Sequence, residues 1–216
     1  MIITIDGPAG SGKSTVARLL AERLQVRFLD TGAMYRAVAL AVLNEAIDQH
    51  DLSAVAQLVR GVTISFEKER LLLNELDVTA EIRSPEVTAI SSVVASNPSV
   101  RERLVQLQRE VGKYGSMVTE GRDQGTVVFP DAEHKFFVKA TLESRAQRRQ
   151  RELAAKGVDQ PISVVMDQLH ERDERDETRE HAPLKPADNA VVVDTSDLAI
   201  AQVVEILLSQ IQSSKS

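Results

Sequence analysis

The stretch Gly7-Pro8-Ala9-Gly10-Ser11-Gly12-Lys13-Ser14 puts glycines at both ends of a short turn and follows the second with an amine and a hydroxyl. It fits the phosphate-loop pattern G-x-x-x-x-G-K-[ST] at each fixed position. The glycines let backbone N–H groups come close to phosphate oxygens. Lys13 is expected to reach the β- and γ-phosphates of a nucleoside triphosphate, with the Ser14 hydroxyl on Mg²⁺. Two elements must position this turn. Ile2, Ile3 and Ile5 read as a short buried strand. Ser14 to Leu24 reads as a helix with Val16, Ala17, Leu20 and Leu24 on one face. The helix N-terminus adds its positive dipole end to the site. The motif alone does not separate a kinase from a GTPase switch or an ATPase motor.

Other reactive side chains follow expected strands. Val26 to Leu29 ends in Asp30-Thr31-Gly32, and a helix through Met34, Val38, Ala41 and Val42 comes next. In a parallel sheet the carboxyl ends of strands line the ligand crevice, which places Thr31, Tyr35 and Arg36 there. The plain alternative is a helix cap at Thr31, a core-edge Tyr35 and a solvated Arg36. Asp30 either orients a metal-bound water or caps that helix. Met117 to Thr119 is a strand before Glu120-Gly121-Arg122-Asp123-Gln124-Gly125, which brings Arg122 and Asp123 to the same edge; a structural Arg–Asp pair is the alternative.

A strand at Lys135 to Lys139 precedes an expected helix from Thr141 to Lys156 with Arg145, Arg148, Arg149 and Arg151. A Gly157/Pro161 loop leads to a second polar helix with Arg172, Asp173, Arg175, Asp176 and Arg179. Each arginine alone fits a solvated helix face. Two Arg-bearing helices joined by a Gly/Pro loop beside a phosphate site read together as a lid over about residues 145–175. Guanidinium groups bind phosphate bidentately and neutralise charge on a transferring phosphoryl group.

The remaining chain alternates strand and helix with one interruption. Residues 48–60 read as a helix; Val62, Ile64 and Phe66 then alternate with polar residues, and Lys68-Glu69-Arg70 turns into Leu71-Leu72-Leu73. This hairpin and a helix from Glu86 to Ser96 after Pro85 make residues 61–96 an expected insert over the acceptor side, within one domain spanning 1–216. Asn97-Pro98 starts a helix whose core face is Val100, Leu104, Leu107 and Val111, with Arg101 and Arg109 off that face. Ala190 to Asp194 is the last strand. Leu198 to Ile211 is the last helix, capped from Thr195-Ser196-Asp197 and followed by a frayed tail, Ser213 to Ser216.

Totals narrow the classes. With 26 Lys and Arg against 32 Asp and Glu, the net charge of −6 argues against nucleic acid as partner. There is no cysteine, so disulfides, thiolate metal sites and cysteine nucleophiles are excluded together. No apolar run nears the ~18–20 residues that span a bilayer, and the early phosphate loop leaves no room for a leader. A soluble, cytoplasmic monomer is expected. The guanine-reading N-K-x-D and the D-x-x-G of switch GTPases are absent, as is a strand ending in Asp-Glu. Phosphoryl transfer to a small acceptor with water excluded fits what remains.

Five segments carry a closer likeness: "ITIDGPAGSGKST" at 3–15, "LDTGAMYR" at 29–36, "EIRSPEV" at 81–87, "VTEGRDQGTVVFPDA" at 118–132 and "ERDERDETR" at 171–179. The chain resembles the bacterial cytidylate kinases from Ile2 to about Leu208. That resemblance implies an α/β phosphate-loop NTPase fold in three layers: a five-stranded parallel sheet, flanking helices, an Arg-rich helical lid and a small α+β nucleotide-covering insert. It implies transfer of the γ-phosphoryl group of MgATP to CMP or dCMP, a step of pyrimidine metabolism. Gly7, Pro8, Ala9, Gly10, Ser11, Gly12, Lys13, Ser14 and Thr15 would hold the ATP phosphates. Thr31, Tyr35, Arg36 and Arg122 would sit near the CMP phosphate, and Ser92, Arg101 and Asp123 at cytosine. Arg172, Asp176 and Arg179 would approach pentose and phosphates from the lid. Arg148 or Arg149 is the expected arginine at the transferring group. Two positions depart mildly from the family pattern: Thr31, where Ser is common, and Gln124, where Met is common. A kinase of another small acceptor, such as UMP or shikimate, is the alternative.

Overall fold

The computed structural model describes residues 1–67, 70–155 and 157–213. Lys68 and Glu69 of the expected hairpin turn, Lys156 at the expected helix end, and tail residues 214–216 lie outside the described residues. The elements run β1 (Ile2–Asp6), α1 (Lys13–Leu24), β2 (Arg27–Asp30), α2 (Thr31–Asn44), α3 (Leu52–Gly61), β3 (Ile64–Glu67), β4 (Arg70–Leu73) and β5 (Leu76–Asp77). Then come α4 (Pro85–Val94), α5 (Pro98–Gly112), β6 (Met117–Gly121), β7 (His134–Lys139), α6 (Leu142–Ala154), α7 (Ile162–Thr178), β8 (Val191–Asp194) and α8 (Ile200–Ser213).

Five strands build a sheet of order β2-β6-β1-β7-β8, with β1 and β6 buried on both faces and the edge strands β2 and β8 partly exposed. The β1–β6, β1–β7 and β7–β8 pairs are parallel. Register matters for function, because Ile5 pairs with Glu120 and Asp6 with Gly121. The carboxyl ends of β1 and β6 therefore finish side by side, where an open α/β sheet binds its ligands.

Two compact units divide the chain. The first, Met1–Leu29 with Tyr114–Ser216, contains most of the sheet. Its core joins Ile3, Ile5, Val16, Leu20, Val118, Phe136 and Val138 to Val203, Leu207 and Ile211 of α8. In the same unit Ala9, Ala146, Val165 and Leu169 pack α6 and α7 onto the phosphate loop. The second unit, Asp30–Lys113, contains residues 61–96 and has its own core of Ala33, Ala37, Ala41, Val62, Leu71, Leu73, Val78 and Ile82. A separate antiparallel sheet, β3-β4-β5, lies in it.

Several boundaries follow their expected chemistry. Ser84 caps α4 by accepting from the Val87 N–H, with Pro85 at the first turn. Asn97 caps α5 through the Ser99 N–H. Other expectations fail. The helix expected from residue 48 starts at Leu52, because Asp51 accepts from the Ser53 and Ala54 N–H groups and caps it there. The hairpin gains a third strand, Leu76–Asp77. Thr195, expected to cap the last helix, is buried and donates instead to the carbonyls of Ser11 and Lys139, each at 3.2 Å. That helix begins at Ile200. Among the described residues no helix is long and apolar enough to cross a membrane.

Candidate functional site

The phosphate loop bends where only glycine fits. A Cβ on Gly7 would stand 2.0 Å from the Val138 carbonyl oxygen. Gly12 opens α1 at φ 85° with no side chain capping the helix. An uncapped N-terminus keeps its first N–H groups directed at an anion. Ser11 braces the turn by donating to the Pro8 carbonyl at 3.0 Å.

Lys13 is buried, with Nζ 3.4 Å from the Pro8 carbonyl and 3.6 Å from Glu120 Oε2. Burial first, then the Arg122 charge, draws its ammonium down to about 8, against the opposing pull of Glu120. The Ser14 hydroxyl donates to Glu120 Oε1 at 2.8 Å. The β1–β6 register produces this cluster of amine, hydroxyl and carboxylate. Among the described residues no group of three or more His, Cys, Asp and Glu is placed for a metal. Mg²⁺ does not need one, because it binds through one or two carboxylates together with substrate phosphates and water. The hard oxygens of Ser14 and Glu120 fit that requirement.

Further along, Arg122 donates from Nε to Asp176 Oδ2 at 2.8 Å and from Nη1 to the Gly121 carbonyl at 3.0 Å. Burial works against the Arg122 charge, but Asp176 outweighs it and holds the guanidinium above its usual range. Burial likewise opposes the Asp176 charge; Arg122, then Arg172, outweigh it and keep the carboxyl below the usual carboxylate range. Arg179 Nη1 is 3.8 Å from Asp176 Oδ1. One face of α7 and the residue that follows it thus meet the end of β6. Asp123 is 3% exposed and leads into a single π-turn, Gln124–Val128. Its carbonyl accepts the Val127 N–H at 2.9 Å and the Val128 N–H at 3.1 Å.

The lid helices bring different arginines to different places. Arg145 is buried between the loop and α7, donating to the Ala9 carbonyl at 3.2 Å and to Asp173 Oδ2 at 2.5 Å. Arg148 donates to the Ser11 carbonyl and Thr195 Oγ1, at 3.3 and 3.2 Å, and also to the Thr195 and Ser196 carbonyls. Arg149 forms a surface pair with Glu152 at 3.1 Å. The three do not converge on one point.

The second unit assembles its own set. Asp30 caps α2 by accepting the Ala33 N–H at 2.9 Å and also pairs with Arg83 at 3.2 Å, so helix capping is its structural task. Thr31 is buried at the first position of α2, and half-buried Tyr35 and Arg36 follow one turn later. Arg36 Nη1 donates to Thr88 Oγ1 at 2.6 Å. The Arg101 guanidinium lies 5.6 Å from the Tyr35 ring centroid and donates to the Ala95 carbonyl at 3.2 Å. Expected off the core face, Arg101 is in fact 5% exposed, because the Tyr35 ring and the end of α4 cover it. Ser92 is half-buried on α4.

Three participants escaped the motif reading: Glu120, Asp173 and Thr88. Glu120 carried a usable signal, an acid at the carboxyl end of an apolar strand. Asp173 and Thr88 sit among ordinary helix polar residues and carried none.

A family model described as "Cytidylate kinase" matches residues 3–213. The cytidylate kinase of Citrifermentans bemidjiense is 44% identical, over 98% of this chain and 93% of its own. That of Carboxydothermus hydrogenoformans is 47% identical, over 96% of each chain. Among solved structures, shikimate kinase from Bacteroides thetaiotaomicron superposes with a TM-score of 0.52 at 13% identity over 98% of both chains, a likeness of fold.

Proposed function

The chain belongs to the cytidylate kinase family and is a nucleotide-binding kinase; on that premise we propose that it transfers the γ-phosphoryl group of ATP to CMP or dCMP, giving ADP with CDP or dCDP. The observation that best supports the acceptor is the buried Asp123 carboxyl directly after Arg122 at the end of β6. Cytosine presents an amine donor beside a ring nitrogen and a carbonyl, both acceptors. A carboxylate accepts from that amine, as it does with cytosine generally. Arg101 donates to the two acceptors, with Ser92 beside it. Uracil reverses two of the three signs and puts a carbonyl against Asp123. Each buried polar group left unpaired costs about 1–3 kcal/mol, enough for strong discrimination.

Lys13 and the loop N–H groups from Gly7 to Thr15 hold the donor phosphates. Ser14 with Glu120 would hold Mg²⁺, which when bound would supply charge neutralisation at the donor phosphate oxygens. Thr31, Tyr35, Arg36 and Arg122 hold the acceptor phosphate and offset its repulsion from the donor. No general base is required, since a phosphate monoester with its second pKa near ~6 is already mostly dianionic at neutral pH. Arg172 and Arg179 add positive charge from α7 and its end. Arg148, bonded to the Ser11 carbonyl, or Arg149, paired with Glu152, adds charge at the transferring group from α6. Asp176 accepts from the pentose 3′-hydroxyl, so dCMP serves as well as CMP.

A coupled assay with ATP, Mg²⁺ and each of CMP, dCMP, UMP, AMP and GMP tests this. Turnover is expected with CMP and dCMP. UMP accepted as well as CMP would overturn the cytosine assignment, and slow ATP hydrolysis indifferent to every acceptor would point to a nucleotide-dependent switch.

A further inference from the structure

Asp6 belongs to none of the roles above, yet it is 4% exposed at the end of β1. A buried carboxyl is an unfavourable group to keep, and burial pushes this one up to about 7 against the pull of the Gly125 and Gln124 N–H groups. What it accomplishes is specific. Oδ1 accepts the Gln124 N–H and Oδ2 the Gly125 N–H, both at 2.8 Å. Only a carboxylate offers two acceptor oxygens side by side; an asparagine would turn one N–H toward its own NH₂ donor.

The residues it grips come directly after Asp123. Neighbouring contacts hold the same segment. A Cβ on Gly125 would lie 2.9 Å from Thr4 Oγ1 and 3.3 Å from Lys135 Cδ, so this backbone rests directly on the sheet. The Thr119 hydroxyl donates to Gln124 Oε1 at 2.8 Å. Thr4 and Asp6 share one face of β1, since strand residues alternate. The π-turn then returns two N–H groups to the Asp123 carbonyl. Asp6 thus reaches Asp123 through the buried backbone of Gln124 and Gly125.

We infer that Asp6 is a positioning residue for acceptor selectivity: its carboxylate holds the Gln124–Gly125 backbone so that Asp123 presents its side chain to the pyrimidine edge. The inference rests on the acceptor assignment proposed above. It gives β1 two tasks, because the strand that launches the phosphate loop also sets the base-reading carboxylate.

The test is Asp6→Asn in the full chain, with steady-state kinetics for CMP and UMP at saturating MgATP, affinity for a non-hydrolysable ATP analogue, and thermal melting. The variant is expected to raise KM for CMP about tenfold or more while kcat changes less, and to lower the CMP-to-UMP ratio of kcat/KM similarly. ATP-analogue affinity is expected to stay within about twofold. A folded variant with an unaltered CMP-to-UMP ratio overturns the inference, as does an equal loss for CMP and the ATP analogue, which marks a merely structural role. Asp6→Glu decides the matter if Asp6→Asn fails to fold. It keeps the paired acceptor oxygens but moves them by one methylene, and a lowered ratio supports the inference while an unchanged one overturns it. The two readings fail separately: wild-type protein that does not prefer CMP sinks the acceptor assignment, whereas a discriminating wild type with an indifferent Asp6→Asn sinks only the role of Asp6.

Discussion

Glu120 Oε1 accepts a hydrogen bond from the Ser14 hydroxyl at 2.8 Å, across 106 residues of sequence. The bond follows from strand register, since Glu120 pairs with Ile5 one residue before β1 ends. It gives the phosphate loop a carboxylate that its own motif lacks. If Ser14 and Glu120 together accommodate Mg²⁺, Glu120→Gln should weaken the metal requirement's chemistry rather than the fold. The expected outcome is a drop in kcat of roughly 10–100-fold with a raised half-saturating Mg²⁺ concentration, and CMP affinity little changed. A magnesium titration of initial rate checks this; a variant with wild-type metal dependence rules Glu120 out of the metal site.

Lys13 offers a prediction about protons. Burial, followed by Arg122, brings it from 10.5 to about 8. A bound triphosphate is negative and must raise it again. Between about pH 8 and the ordinary lysine range near ~10.4, binding therefore takes up a proton, and affinity falls as pH rises, by at most about tenfold per unit. Calorimetry of a non-hydrolysable ATP analogue at about pH 8.5 in two buffers of different ionisation heat measures the uptake directly. Lys13→Ala should abolish both the uptake and turnover while CMP binding stays measurable; loss of CMP binding as well would make Lys13 a structural residue.

What could be read from the sequence was local. The phosphate loop is one contiguous motif between a strand and a helix, and Asn97 and Ser84 cap the helices that follow them. Distant partners were not legible. Thr195 looked like a cap because Thr-Ser-Asp before an apolar helix is capping grammar, yet its hydroxyl is used by Ser11, 184 residues away. Arg101 read as lying off the core face of its helix, and only tertiary packing brings Tyr35 over it. The strand Leu76–Asp77 is two residues long, too short to show any period.

Asp123 carries the sharpest specificity test. Changing it to Asn removes a charged acceptor for the cytosine amine, while the new amide can turn its NH₂ toward the uracil carbonyl. The expected result for Asp123→Asn is a loss of about 5–150-fold in kcat/KM for CMP, corresponding to about 1–3 kcal/mol, with UMP changed far less. Parallel kinetics on the two nucleotides read this out. An equal loss for both would remove Asp123 from base recognition.

The lid helices raise a question of stability that bears on the donor site. Arg145 and Asp173 are both buried and bonded at 2.5 Å, and Arg145 also donates to the Ala9 carbonyl of the phosphate loop and to the Ala140 carbonyl before α6. A buried pair contributes little over an apolar replacement, but breaking one partner strands the other charge, at a cost of about 3–5 kcal/mol. Asp173→Asn or Arg145→Met should therefore lower urea-unfolding stability by about that amount, and Arg145→Met combined with Asp173→Leu should recover most of it. Because Ala146, Val165 and Leu169 pack α6 and α7 on Ala9, ATP-analogue affinity should fall in the single variants together with stability. A single variant that loses stability but keeps full analogue affinity would show that the pair serves the helices alone and leaves the phosphate loop untouched.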